Sequence, residues 1–193
     1  MTIAGRNEED EVESRSTEQP LVADLRTAIR EIPDFPKEGI RFYDITTLLR
    51  DARCFQRAID ALANPHVGEP LDYVVGIDAR GFVLGAALAY KLCKGLVVVR
   101  KKGKLPARTR SASYALEYGV DEVEMHHDAL PPGSRVIIVD DLLATGGTAS
   151  AAVKLVRDSG AHLVECAFLV ELESLGGRKR LEGCQVVSLV RYP

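Results

Sequence analysis

What these 193 residues lack already excludes several classes of protein. The formal net charge is only -3 and the pI is near 5.9, so no global basic field points to nucleic acid or acidic membranes. No apolar run reaches the roughly 18 to 20 residues that a helical membrane span needs. The first residues lack the basic-then-apolar pattern of a signal peptide, and a cytoplasmic protein is the expectation. Cys54, Cys93, Cys166 and Cys184 are widely separated and form no CxxC pair. In a reducing compartment they read as single buried thiols rather than a disulfide or zinc framework. His126 and His127 form the single histidine pair, and neighbours on a strand point apart, which does not suit metal ligation. The two common glycine-rich nucleotide loops are absent as well. There is no GxxxxGK[ST], and GGTAS lacks the GxGxxG spacing.

The composition, 46% hydrophobic and 27% charged, suits one α/β domain with a sizeable core and a small accessory part. Residues 1–18 are acidic and polar, with little to bury, and read as a disordered tail ahead of a single domain over 19–193. From Pro20, LVADLRTAIREI places Leu21, Leu25, Ile29 and Ile32 on one helical face, with Pro33 as the stop. The stretch PDFPKEGIRFYDIT reads as a turn-rich connector, and DARCFQRAIDALA as a second helix. A β-α-β rhythm follows. YVVGI (73–77), GLVVVR (95–100), RVIIVD (135–140), HLVECAFLVEL (162–172) and QVVSLV (185–190) are apolar strands. Helices over GFVLGAALAYKL and from about Thr148 to Asp158 lie between them. Strands apolar on both faces and separated by helices predict an α/β fold, a parallel sheet with helices on both faces. Residues 101–130 interrupt the rhythm with a polar, initially basic stretch, which suggests disorder or a functional lid carrying a small hairpin.

The chemistry concentrates in VIIVDDLLATGGTAS (136–150). Paired acids at the end of a buried strand repel each other unless something positive or hydroxyl-rich lies between them. In an open α/β fold ligands bind beyond the carboxyl ends of the strands, where Asp140 and Asp141 are expected to emerge. The turn Ala144-Thr145-Gly146-Gly147-Thr148 then opens a helix. Its free amides and dipole favour a phosphate, its glycines allow close approach, and its threonine hydroxyls can donate. Carboxylates accept hydrogen bonds from vicinal hydroxyls. A ribose 5-phosphate fits both ends, with its hydroxyls at the acids and its phosphate in the turn.

VIIVDDLLATGGT resembles the phosphoribosyl-pyrophosphate signature of the type I phosphoribosyltransferases. PDFPKEGIRFYDIT, GIDARGF, VVVRKKGKLP and SASYALEYG, in that order, are similar to the adenine-specific members of that family, and the likeness covers roughly residues 20–193. It implies the type I fold, with a small N-terminal hood (about 19–50) and a flexible lid hairpin (about 101–130). It also implies a cytoplasmic homodimer that converts adenine and phosphoribosyl pyrophosphate into AMP and pyrophosphate in purine salvage. Mg2+ would be held by substrate and water, with no direct protein ligand. Asp140, Asp141 and the turn Ala144, Thr145, Gly146, Gly147 and Thr148 would bind the phosphoribosyl group. Arg80, Arg100, Lys101 and Lys104 would face pyrophosphate, in part across the dimer interface.

Glu117, together with Arg80, would be catalytic, the glutamate serving the imidazole edge of adenine from the lid, and Tyr118 is a possible lid contact. Phe42 and Leu142 would sandwich the base, with the main chain at Arg41 and Tyr43 reading its edge. The family commonly has arginine where this chain has Tyr43. Ala144 stands where the 6-oxopurine enzymes commonly carry aspartate, which favours adenine. A non-proline cis peptide at Asp78-Ala79 is a further implication. An enzyme for another purine such as xanthine, and a non-catalytic sensor of phosphoribosyl pyrophosphate, are the alternative readings.

Overall fold

The computed structural model describes residues 21–115 and 119–193. The chain divides into two compact units, Met1–Ala58 and Ile59–Pro193, with the break inside one helix.

In the first unit, α1 (residues 21–28) is followed by β1 (Arg30–Ile32), β2 (Phe42–Asp44), α2 (Thr46–Arg50) and α3 (Ala52–Ala63). Leu25, Ile29, Ile45 and Leu48 are among its buried side chains. The helix expected to run on to Ile32 stops at residue 28 instead. Residues 30–32 pair antiparallel with β2 in the register Arg30↔Asp44, Glu31↔Tyr43 and Ile32↔Phe42. That ladder draws the chain out of the helix, and an ion pair from Arg30 to Asp44 fastens it. Asp44 also accepts the Thr46 amide at 2.9 Å and so starts α2. The hydrogen bonds from Arg30 and Thr46 hold its carboxyl down at about 2. The segment read as a plain connector therefore carries a strand and ends on the first residue of a helix.

The second unit is built on a seven-stranded sheet. Its strands are β3 (Tyr73–Ile77), β4 (Gly95–Lys101), β5 (Thr109–Ala115), β6 (Val120–His126), β7 (Arg135–Leu143), β8 (His162–Leu172) and β9 (Val186–Tyr192). The order is β5-β6-β4-β3-β7-β8-β9. The five strands from β4 to β9 run parallel, and the β5–β6 hairpin extends the edge antiparallel. The central strands β3, β7 and β8 are aliphatic runs with both faces largely buried, as a helix-covered sheet requires, while β4 and β9 are only partly covered. α4 (Gly81–Leu92) and α5 (Gly147–Asp158) are the covering helices. One face of the sheet carries Val75, Ile77, Val136 and Ile138, which share a core with Ala149, Ala152 and Val156 of α5. On α4, Leu84 and Leu88 are fully buried.

This order places a switch point at the middle of the sheet. β3 leads through α4 to β4 on one side, and β7 leads through α5 to β8 on the other. The two connections diverge, which leaves a crevice at the carboxyl ends of β3 and β7. Those strands pair only as far as Gly76↔Val139. The segments that follow, 78–80 and 140–147, are thus free to line it.

Candidate active site

β7 runs to Leu143, three residues beyond its predicted end, because β8 stays paired with it through Leu143↔Glu171. Asp140 and Asp141 consequently belong to the strand rather than following it. They lie on the part that β3 no longer covers. Asp140 Oδ1 accepts the amide of Asp141 at 2.9 Å. A Cβ on Gly81 would lie 2.6 Å from that same oxygen, so glycine at the start of α4 makes room for the acid. Burial, and then the neighbouring charge of Asp141, push the Asp140 carboxyl well above the usual carboxylate range. Burial raises Asp141 too, against the opposing pull of Arg80.

Arg80 stands at the N-cap of α4, an unfavourable place for a cation at the positive end of a helix dipole. Its Nη2 lies 2.8 Å from Asp141 Oδ2. That buried oxygen has no aligned hydrogen-bond donor among the described residues. The crevice therefore holds two acids and one base, with a carboxylate oxygen still able to accept from a hydroxyl. The Asp78–Ala79 peptide in the same turn is cis.

The turn after β7 is set by close backbone packing. Gly146 has φ +77 and caps α5 without any side-chain hydrogen bond. A Cβ there would meet the Gly177 carbonyl oxygen at 2.4 Å, and a Cβ on Gly177 would meet the Ala144 carbonyl oxygen at 2.2 Å. Gly177 belongs to a short 3-10 segment, Gly177–Leu181, that backs the turn. Arg178 anchors that segment through Nε and Nη2 to the two oxygens of Glu171, at 3.0 and 2.5 Å, and through Nη1 to the Val186 carbonyl at 2.8 Å.

The basic loop after β4 is more engaged than its sequence suggests. Arg100 reaches Asp78 at 3.1 Å and the Lys104 carbonyl at 3.1 Å, with its guanidinium 6.0 Å from the centre of the Phe82 ring. It thereby ties the basic loop to the turn that presents Arg80. Lys101 Nζ lies 3.4 Å from Asp121 of the hairpin. Glu124, almost fully buried, accepts the amides of Lys104 and Leu105, both at 3.0 Å, and the Thr109 hydroxyl at 3.2 Å. The loop is thus pinned from beneath while Lys101 and Lys104 stay exposed.

Several contributors had no role in the sequence reading. Tyr114 on β5 donates to Asp121 at 3.0 Å, and a Cβ on Gly147 would touch its ring at 2.8 Å. Burial raises the pKa of its hydroxyl, and the side chain of Thr148 opposes the shift. The hairpin thus reaches the helix-opening turn through one aromatic. Glu117 and Tyr118, assigned to the lid, lie outside the described residues, as does the acidic tail. Leu142 is half-buried on β7, opposite Val170. Phe42 and Tyr43 belong to β2 in the first unit, where Phe42 meets Phe35 edge-on at 5.2 Å and Arg41 pairs with Glu31 at 3.3 Å. Among the described residues no cluster of three or more His, Cys, Asp or Glu side chains is placed to hold a metal ion. The thiols are less buried than expected. Only Cys166 is fully inside, and Cys93 is exposed at the end of α4.

A crevice with two acids, an arginine and a glycine-bounded helix N-terminus at a switch point is the arrangement that phosphorylated sugars require. Residues 47–188 match the family model of the phosphoribosyl transferase domain. The chain belongs to the phosphoribosyltransferase family. Its relatives narrow the class further. It is 60% identical over 169 residues to the adenine phosphoribosyltransferase of Geobacter metallireducens, covering 88% of this chain and 99% of that one. It is 55% identical to the enzyme of the same name from Agrobacterium fabrum, over 89% and 97% of the two chains. Among solved structures, the adenine phosphoribosyltransferase of Thermoanaerobacter pseudethanolicus superposes with a TM-score of 0.85 at 51% identity, over 89% of this chain and 99% of that one. The Saccharomyces cerevisiae enzyme, solved with an imino-altritol bisphosphate and adenine, gives 0.84 at 43% identity over the same shares.

Proposed function

We infer that the chain is an adenine phosphoribosyltransferase, transferring the phosphoribosyl group of phosphoribosyl pyrophosphate to adenine and releasing AMP and pyrophosphate. The observation that carries this is the pairing, in one crevice, of the Arg80–Asp141–Asp140 group with the Gly146 turn at the start of α5. Relatives of that name at 55–60% identity support the choice of base.

In this reading Asp140 and Asp141 accept the ribose hydroxyls. Sugar hydroxyls supply a donor to Asp141 Oδ2, which has no aligned one among the described residues, and to the neighbouring half-buried Asp140. The amides of residues 145–148 and the hydroxyls of Thr145 and Thr148 bind the 5-phosphate, aided by the dipole of α5. Cleavage at the anomeric carbon leaves positive charge on the sugar and negative charge on the departing pyrophosphate. Arg80, with Lys101 and Lys104 from the loop that Arg100 ties to the same turn, stabilises the leaving group. The donor set fits Mg2+ held mainly by ligand oxygens and water, because the acids sit where the hydroxyls, rather than a bare ion, complete them. When bound, the ion would neutralise pyrophosphate charge.

Glu117 is assigned to the proton on the adenine imidazole. Leu142 is assigned to one face of the base, and Phe42 with the main chain at 41 and 43 to the same ligand. These assignments rest on the motif match. Ala144 leaves no carboxylate at the place that 6-oxopurine enzymes use, which favours adenine. The dimer is part of the same reading, and the exposed face of α4 with Val83 and Tyr90 is its candidate surface.

The test is a base panel. With phosphoribosyl pyrophosphate and Mg2+, the protein is expected to release pyrophosphate with adenine and not with hypoxanthine, guanine or xanthine. Equal turnover of a 6-oxopurine would refute the choice of base while leaving the sugar-phosphate site intact.

A further inference from the structure

The 3-10 segment Gly177–Leu181 backs the helix-opening turn, and its sequence, GRKRL, is basic. Gly177 touches the turn through its own backbone, and Arg178 anchors the segment to Glu171. Arg180 does something different. Its Nη1 lies 3.6 Å from where a Cβ on Gly147 would stand, at the first residue of α5. No ion pair holds it among the described residues, whereas Arg178, two positions earlier, is engaged with the carboxylate of Glu171.

A cation at this position is disfavoured by the helix dipole and by the amides that point the same way. Arg180 is exposed, and among the described residues no carboxylate offsets that cost. An anion seated on the same amides would. The rigid mount supports this reading: the segment cannot swing away without breaking the Arg178–Glu171 fork and the Gly177 contact with the turn.

We propose that Arg180 is a further ligand of the 5-phosphate, closing the turn beside Gly147. The proposal rests on the assignment of the 144–148 turn to that phosphate. It adds a charged side chain to a site otherwise made of amides and hydroxyls. A guanidinium suits a phosphate because its planar donors can meet two oxygens at once.

AMP and adenosine separate the phosphate from the rest of the nucleotide. Dissociation constants for both are measured by calorimetry on the wild-type protein, Arg180→Gln and Arg180→Lys, with thermal melts to confirm folding. Arg180→Gln is expected to weaken AMP by about tenfold, the scale of one exposed charge-assisted contact, and to leave adenosine unchanged. Arg180→Lys should recover part of the loss, and added salt should shrink the difference. Equal weakening of both ligands, or no change in either, overturns the role of Arg180 while the turn keeps its assignment. Wild-type protein that binds AMP no more tightly than adenosine overturns the assignment of the turn itself.

Discussion

Replacing Gly146 by alanine tests whether the turn depends on backbone contact rather than on side chains. Two costs add at this position. The φ of +77 is a left-handed conformation, which costs an L-residue roughly 1–2 kcal/mol. The new methyl would also lie 2.4 Å from the Gly177 carbonyl oxygen, far inside van der Waals contact, against backbone that cannot rotate away as a side chain would. Relieving such overpacking costs roughly 1–3 kcal/mol. The sum, about 2–5 kcal/mol, gives the turn a strong reason to open, and opening displaces the amides proposed to hold phosphate. Gly133 is the internal control. It has φ +82 in the same unit, and a Cβ there meets nothing within 4 Å. Gly133→Ala should therefore show the conformational cost alone, about 1–2 kcal/mol, with AMP affinity unchanged. Gly146→Ala should be less stable than this control in urea unfolding, and should bind AMP about tenfold or more weakly, the loss of at least one charge-assisted bond. Equal stability and equal AMP affinity for the two variants would refute the close-packing argument.

Three further outcomes follow from the electrostatics and the lid. Burial and Asp141 raise the folded-state pKa of Asp140 above its unfolded value, so its ionised form costs stability that grows as pH rises through the folded value. Asp140→Asn should stabilise the free protein at pH 7 by on the order of 1 kcal/mol, read as a higher melting temperature, while lowering turnover; an unchanged or lower melting temperature contradicts the repulsion. Asp44 is the opposite case, depressed to about 2 by Arg30 and Thr46. Its contribution is present above the unfolded carboxylate value near 4 and lost as pH falls toward about 2, so Asp44→Asn should cost on the order of 1–2 kcal/mol at pH 7, a difference that vanishes in acid denaturation below about pH 2. Glu117→Gln should cut single-turnover rates by about 10² and leave phosphoribosyl-pyrophosphate affinity nearly unchanged; full turnover would make the lid glutamate a bystander.

Much of the second unit was legible because its strands are continuous aliphatic runs. YVVGI, RVIIVD and HLVECAFLVEL are runs that a parallel strand buries on both faces, and the intervening helices have the length a crossover needs. The pairing of acids with a glycine turn was legible for a similar reason, since buried carboxylates demand partners. Short elements were not. β1 and β2 have three residues each, too few for any period, and only their mutual pairing stops the helix at residue 28. The end of β7 was misplaced because charge normally marks a strand's exit. Here the ladder to β8 carries two acids inside the strand. Tyr114 and the GGRKRL segment escaped notice because their importance lies in long-range contact. No local pattern announces that Gly177 will touch Gly146, although a second glycine pair followed by three basic residues was a signal to weigh.

Asp140, Asp141 and the turn at 144–148 are proposed to bind a ribose 5-phosphate at the sheet's switch point. A crystal structure with AMP tests it most directly. The account predicts the phosphate within about 3.2 Å of at least one amide of residues 145–148, and the ribose hydroxyls within the same reach of the two carboxylates. AMP bound with its phosphate away from every amide of that turn would contradict it.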